Sequence, residues 1–197
     1  MTLTQAAFGS DTLLKKALMV MGGSLFIALA AQVSVPFFPV PMTLQTLAIL
    51  IVGLSFGSRL GAATLLAYLA EGAAGLPVFA NGGAGLAYLV GPTAGFLLGF
   101  VMMAYLAGLA VERGLAKGVV GTALTAIVVS ALLYIPGVVW PMAVAEVFAI
   151  DAKWVGSSAS SIWTYWVSPF LLGDVVKAVL AALVVTGAWR ALKARAS

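Results

Sequence analysis

Three stretches of this chain, residues 17–58, 72–111 and 118–145, contain no Asp, Glu, Lys or Arg. A soluble helix needs one charged or polar face for water, and runs of this length leave no room for one. In lipid, backbone N–H and C=O groups must be satisfied internally, which leaves helices whose hydrogen bonds close within each segment. Only 8% of all residues are charged, against about 25% in soluble domains, and the mean hydropathy is +1.15. The expected fold is therefore an all-α, polytopic integral membrane protein, a single membrane domain over residues 1–197.

Six apolar segments are expected as helices: about 15–34, 43–56, 60–75, 92–112, 118–136 and 167–189. The second and third reach only about 21–24 Å as helix, short of the roughly 30 Å hydrocarbon core. Short spans, tilted spans and a partly inserted hairpin around Phe56-Gly57-Ser58-Arg59 all fit them. The first segment follows Lys15 and Lys16 and runs on without a clear cleavage site, so it is read as a span rather than a removable signal peptide.

Basic residues orient the segments. With the N-terminus inside, Lys15, Lys16, Arg59, Arg113, Lys117, Arg190, Lys193 and Arg195 all fall inside, Lys153 falls outside, and Lys177 lies within a span. The positive-inside rule thus predicts both termini on the cytoplasmic face. The formal charge of +4 is then an orientation signal and not a nucleic-acid patch. Three outer loops follow, at 35–42, 76–91 and 137–166. The first carries Pro36, Pro39 and Pro41, which forbid helix and impose an extended path. The second is Gly-rich, and the third holds an interfacial helix in WPMAVAEVFAIDAKW followed by a small-residue run. Trp140, Trp154, Trp163 and Trp166 suit either an interfacial aromatic belt or the cover of a ligand pocket.

Asp174 and Lys177 are the sharpest chemical signal. They sit in the otherwise apolar LLGDVVKAVLAALVVTGAW, where each ion costs roughly 2.5–3.5 kcal/mol to insert. Spaced i, i+3, they share a helix face, in the outer half of the last span. Intramembrane ions are functional candidates by default, although a mutually neutralised structural pair would look the same. Asn81, in FANGGAG, is a polar candidate with Gly82 and Gly83, and a left-handed turn is its plainer role. Gln45 and Tyr88 are weaker ligand candidates; Thr43 suits a helix cap, and Glu71 ranks below Asp174. Ser24 and Ala28 make a small-x-x-x-small pair, open to packing inside the chain or to an external helical partner.

The chain has no His and no Cys, which removes thiol nucleophiles, disulfides and His/Cys metal sites. It has no G-x-x-x-x-G-K-[ST], so it is not itself a P-loop ATPase. No catalytic residue, metal or cofactor is expected.

Three stretches resemble the BioY family, the biotin-specific S components of energy-coupling factor (ECF) transporters. They are VPMTLQTLAILIVG (40–53), GSRLGAATLLAYLAEGAAGLPVFANGGAGLAYLVGPTAGFLLGF (57–100) and LLGDVVKAVLAA (171–182). The resemblance implies a six-helix bundle in a bacterial cytoplasmic membrane with an outward-facing biotin pocket. It further implies, as partners, a transmembrane coupling protein and two cytoplasmic ATPases. Its polar contacts to biotin map onto Asn81, Asp174 and Lys177. Its small-residue docking motif on the first helix maps imperfectly onto Ser24 and Ala28. Two orientations of biotin fit. Asp174 and Lys177 engage the ureido ring while Asn81 and glycine-loop amides hold the carboxylate, or Lys177 takes the carboxylate. The rival classes are a stand-alone ion- or proton-coupled secondary transporter and a membrane-embedded enzyme. Against the first, there is no internal repeat and no matched pair of broken helices.

Overall fold

The computed structural model describes residues 2–8 and 12–196. In chain order the elements are α1 (Leu3–Phe8), α2 (Leu13–Gln32), β1 (Ser34–Val35), β2 (Met42–Thr43), α3 (Gln45–Phe56) and α4 (Ser58–Ala73). They continue with α5 (Ala94–Glu112), α6 (Gly118–Val139), α7 (Ala145–Val147), α8 (Ala159–Ile162) and α9 (Ser168–Ala196). The protein is a helical membrane bundle. Four helical stretches, Leu13–Gln32, Ala94–Glu112, Gly118–Val147 and Ala159–Ala194, are long and apolar enough to cross a membrane.

The inside-out character of the bundle follows from its solvent. Ile27, Ile49, Leu54, Leu65, Met103 and Trp166 are buried at the centre, while Leu18, Leu25, Leu29, Leu124, Val128 and Leu183 are exposed at its perimeter. Water would not tolerate so wide an apolar surface, but lipid does. The proline-rich first loop is a small antiparallel hairpin in which Ser34 pairs with Thr43 and Val35 with Met42.

The turn joining α3 to α4 is tight because Gly57 takes a positive φ of 88°. The N-terminus of α4 has no cap within its own turn. Glu112, at the end of α5, supplies one: its carboxylate accepts from the Ser58 N–H at 2.8 Å and from the Ser58 hydroxyl at 2.7 Å. Orphan donors at a helix start are thereby satisfied from another helix.

Three expectations are corrected here. The segment 137–166 is not an outer loop with a separate interfacial helix. The helix begun by α6 carries through Pro136, widens to a π turn over Trp140–Val144 and ends with α7. Pro141 lacks an N–H, and the Ala145 N–H reaches back five residues to the Trp140 carbonyl, so the helix widens where it would otherwise stop. On the return, α8 and a second π turn over Trp163–Val167 lead into α9.

Second, of the two roles open to the tryptophans, burial rules out the interfacial belt for Trp140 and Trp166, whereas Trp163 is exposed. The Trp140 Nε1 donates to the Gly91 carbonyl at 2.9 Å, and Trp166 stacks on Phe96 with centroids 6.4 Å apart. Third, Ser24 and Ala28 are not a docking stripe for an external helix. Ser24 is fully buried and donates to the Glu71 carboxylate of α4, and Ala28 is buried beside it. The small residues serve close packing of α2 on α4, where a Cβ at the neighbouring Gly23 would overlap Thr64.

Candidate ligand-binding site

The opening turns of α9 carry Asp174 and Lys177 on one face, and packing against α3, α6 and the hairpin buries both. Side-chain exposure is 8% for Lys177 and 12% for Asp174. At that burial an unpaired ion would be prohibitive, and neither is unpaired. The Lys177 Nζ lies 2.7 Å from Asp174 Oδ1 and donates to the Thr43 carbonyl at 3.3 Å. The other carboxylate oxygen, Oδ2, accepts from the Tyr134 hydroxyl at 2.5 Å. One acid is therefore gripped by a cation from its own helix and a phenol from α6.

A cavity opens against this triad. About 580 Å³ of space between its lining atoms, open solvent at the mouth included, is not filled by protein. Its walls are mostly apolar, with Val40 and Met42 from the hairpin, Phe96, Leu97 and Phe100 from α5, and Phe170 from α9. Phe37 of the hairpin tip rests on Phe170, with centroids 5.9 Å apart, so the hairpin forms one wall and part of the cover.

Gln45 also lines the cavity, held by its neighbours. Its Nε2 donates to the Tyr68 hydroxyl at 2.7 Å, that hydroxyl donates to the Val78 carbonyl at 2.9 Å, and Gln45 Oε1 accepts from Thr43 at 3.0 Å. Tyr88 stacks on Phe79 at 4.9 Å, and burial raises its phenol above the ordinary value, which keeps it a hydrogen-bond donor.

Asp174, Lys177, Gln45 and Tyr88 thus meet at one cavity. Asn81, Gly82 and Gly83 do not line it, although Ala80 beside them does. Asn81 is exposed, in a left-handed conformation with φ 57°, and its Oδ1 accepts from the Ser34 hydroxyl at 2.7 Å. The loop amides expected to face a ligand are engaged within the protein. The Gly82 N–H is shared between Phe79 O and Gln32 Oε1, and the Gly83 N–H goes to Ala80 O. Gly83 matters for space instead: a Cβ there would overlap the Tyr88 ring.

Of the lining residues that the sequence did not single out, Tyr134 and Thr46 bear hydrogen-bonding groups that matter to the site. Tyr134 looked like one more aromatic in a span, forty positions from the acid it serves. Its signal was a phenol, the one aromatic side chain of α6, two residues before Pro136. Thr46 lines the cavity with a buried hydroxyl that has no partner among the described residues, a free hydrogen-bonding group of the kind a ligand uses.

The chemistry follows from the charges. Asp174 offers acceptor lone pairs, Lys177 offers donors, and together they are neutral, so the site suits a neutral ligand group with adjacent N–H and C=O. Tyr134 is expected to hold the carboxylate for that purpose. Tyr134→Phe should weaken ligand binding, because Asp174 loses the hydroxyl that orients it, and lower unliganded thermal stability by about 1.5–3 kcal/mol, the range for a hydrogen bond to a charged group. Isothermal titration of the purified variant checks the first and a melting curve the second.

The matched model for the BioY family covers residues 3–194. The chain belongs to the BioY family. A biotin transporter BioY from Rhodobacter capsulatus is 39% identical over 170 residues, covering 82% of this chain and 85% of the relative. One from Thermotoga maritima is 34% identical over 164 residues, covering 80% and 86%. Among solved structures, the S-component for biotin from an ECF-type ABC transporter superposes with a TM-score of 0.73. That match covers 95% of this chain and 96% of the other at 21% identity, a likeness of fold. The BioY region of this chain thus includes every residue that lines the cavity.

Proposed function

We propose that this chain is the biotin-binding membrane subunit of an ECF transporter and mediates biotin uptake. The observation that carries the reading is the buried Asp174–Lys177 pair, braced by Tyr134, at the wall of an apolar cavity in a BioY-family bundle. Biotin's ureido ring presents two N–H donors and a strongly accepting carbonyl. Asp174 accepts a ureido N–H, Lys177 donates to the ureido oxygen, and Phe96, Phe100 and Phe170 pack against the fused rings.

Charge balance supports this orientation. A ligand carboxylate seated here would put two carboxylates against one ammonium in a poorly hydrated cavity, at heavy desolvation cost. The valerate carboxylate instead points to the mouth, near the 80–83 loop. Both termini face the cytoplasm of a bacterial cell, which leaves the cavity open to the outer side. A transmembrane coupling protein and two cytoplasmic ATPases supply the energy, for which the chain has no P-loop of its own.

Biotin methyl ester tests the orientation. The ester should bind with the same modest penalty in the parent protein and in Lys177→Ala. An ester penalty that is large in the parent and disappears in Lys177→Ala would put the carboxylate on Lys177 and overturn the assignment.

A further inference from the structure

Sixteen residues beyond Asp174 along α9, about 24 Å at the helical rise, a second cleft opens at the opposite end of the bundle. Arg190 and Lys193 reach it from α9, and Lys117 from the turn before α6. About 1090 Å³ lies between its lining atoms. Val111 and Val185 form its apolar floor, and Trp189 lines it on the α9 side.

Three features distinguish it from an ordinary basic helix end. The three cations come from two separate segments into one concavity. No Asp or Glu lines it, and Glu112, the carboxylate at the end of α5, is committed to Ser58. Among the described residues, Lys117, Arg190 and Lys193 make no ion pair, the pair at Asp174 being elsewhere. The positive-inside rule accounts for basic residues on this face but not for their convergence over an apolar floor.

We propose that this cleft binds the phosphate of an anionic phospholipid headgroup from the inner leaflet. The placement rests on the orientation with both termini inside. A guanidinium and two ammoniums complement a phosphodiester, and Trp189 sits at headgroup depth. The valine floor receives the start of the acyl chains. A free phosphate shares the charge but has no use for that floor.

The test uses the purified full chain in detergent, with melting followed on addition of phosphatidylglycerol, phosphatidylcholine or inorganic phosphate. Phosphatidylglycerol should stabilise at roughly a hundredfold lower concentration than phosphatidylcholine, the order that three cations near a leaflet provide. K117Q/R190Q/K193Q should lose that preference, and K15Q/K16Q/R59Q, with the same charge removed elsewhere, should keep it. Equal response to the two lipids would overturn the proposal and leave the cations to an acidic segment of a protein partner. Retention of the preference in K117Q/R190Q/K193Q, or its reproduction by inorganic phosphate, would overturn it as well. Should that triple variant not fold, brominated lipids give the same answer, because Trp189 is the one tryptophan on this face. The quenching lost in W189F should be greater with brominated phosphatidylglycerol than with brominated phosphatidylcholine; equal values would refute the site.

Discussion

Replacing Lys177 with alanine is expected to weaken biotin binding by about 2–5 kcal/mol, roughly 30-fold to a few thousand-fold. Part of that loss is the missing donor to the ureido oxygen. The larger part comes from Asp174, which keeps its Tyr134 hydrogen bond but loses the cation 2.7 Å away. A carboxylate without its cation at 12% exposure draws in water or turns away from the cavity, and either change spoils it as an acceptor for an N–H. The Thr43 carbonyl also loses its partner, loosening the hairpin wall. Biotin titration of Lys177→Ala beside its melting curve separates this account from a purely structural one. Unchanged affinity with a lowered melting temperature would assign the pair to stability alone.

The second large effect is expected far from the ligand. Gly108 of α5 packs directly on the α3–α4 turn, and a Cβ there would overlap the backbone of Gly57 and Ser58. Backbone gives far less readily than a side chain end, and this turn has little freedom. Gly57 is already at φ 88°, and Ser58 is tied to Glu112, one helical turn beyond Gly108 on the same face of α5. Moving α5 away to admit a methyl would stretch those two hydrogen bonds. Gly108→Ala should therefore destabilise by about 3 kcal/mol, at the upper end for overpacking, while the folded fraction binds biotin normally. An unchanged melting temperature would contradict this packing.

What could be read from the chain divides along physical lines. Long uncharged runs specify a membrane bundle because lipid admits so few alternatives. The Asp174–Lys177 pair was equally legible, since two ions three residues apart in a span need a reason. Tyr134 was not, because an i, i+3 pair is local while a phenol forty residues away joins it only through packing of α6 on α9. Ser24 and Ala28 show a different limit. Small-residue spacing records that a helix approaches closely, but it does not say whether that helix is internal, and here it is α4. The fifth segment is expected to end at Pro136, with a separate interfacial helix beyond it, yet a π turn carries the one helix past Pro141. The loop at 80–83 drew attention for its glycines, whose amides turned out to bind the loop to itself and to Gln32.

The measurement that bears most directly on the central claim is a titration of the purified chain with biotin, desthiobiotin, thiamine and riboflavin. Tight, saturable binding of biotin at one site, weaker binding of desthiobiotin and none of the other two vitamins is the predicted result. Absence of tight biotin binding by folded protein would contradict the account.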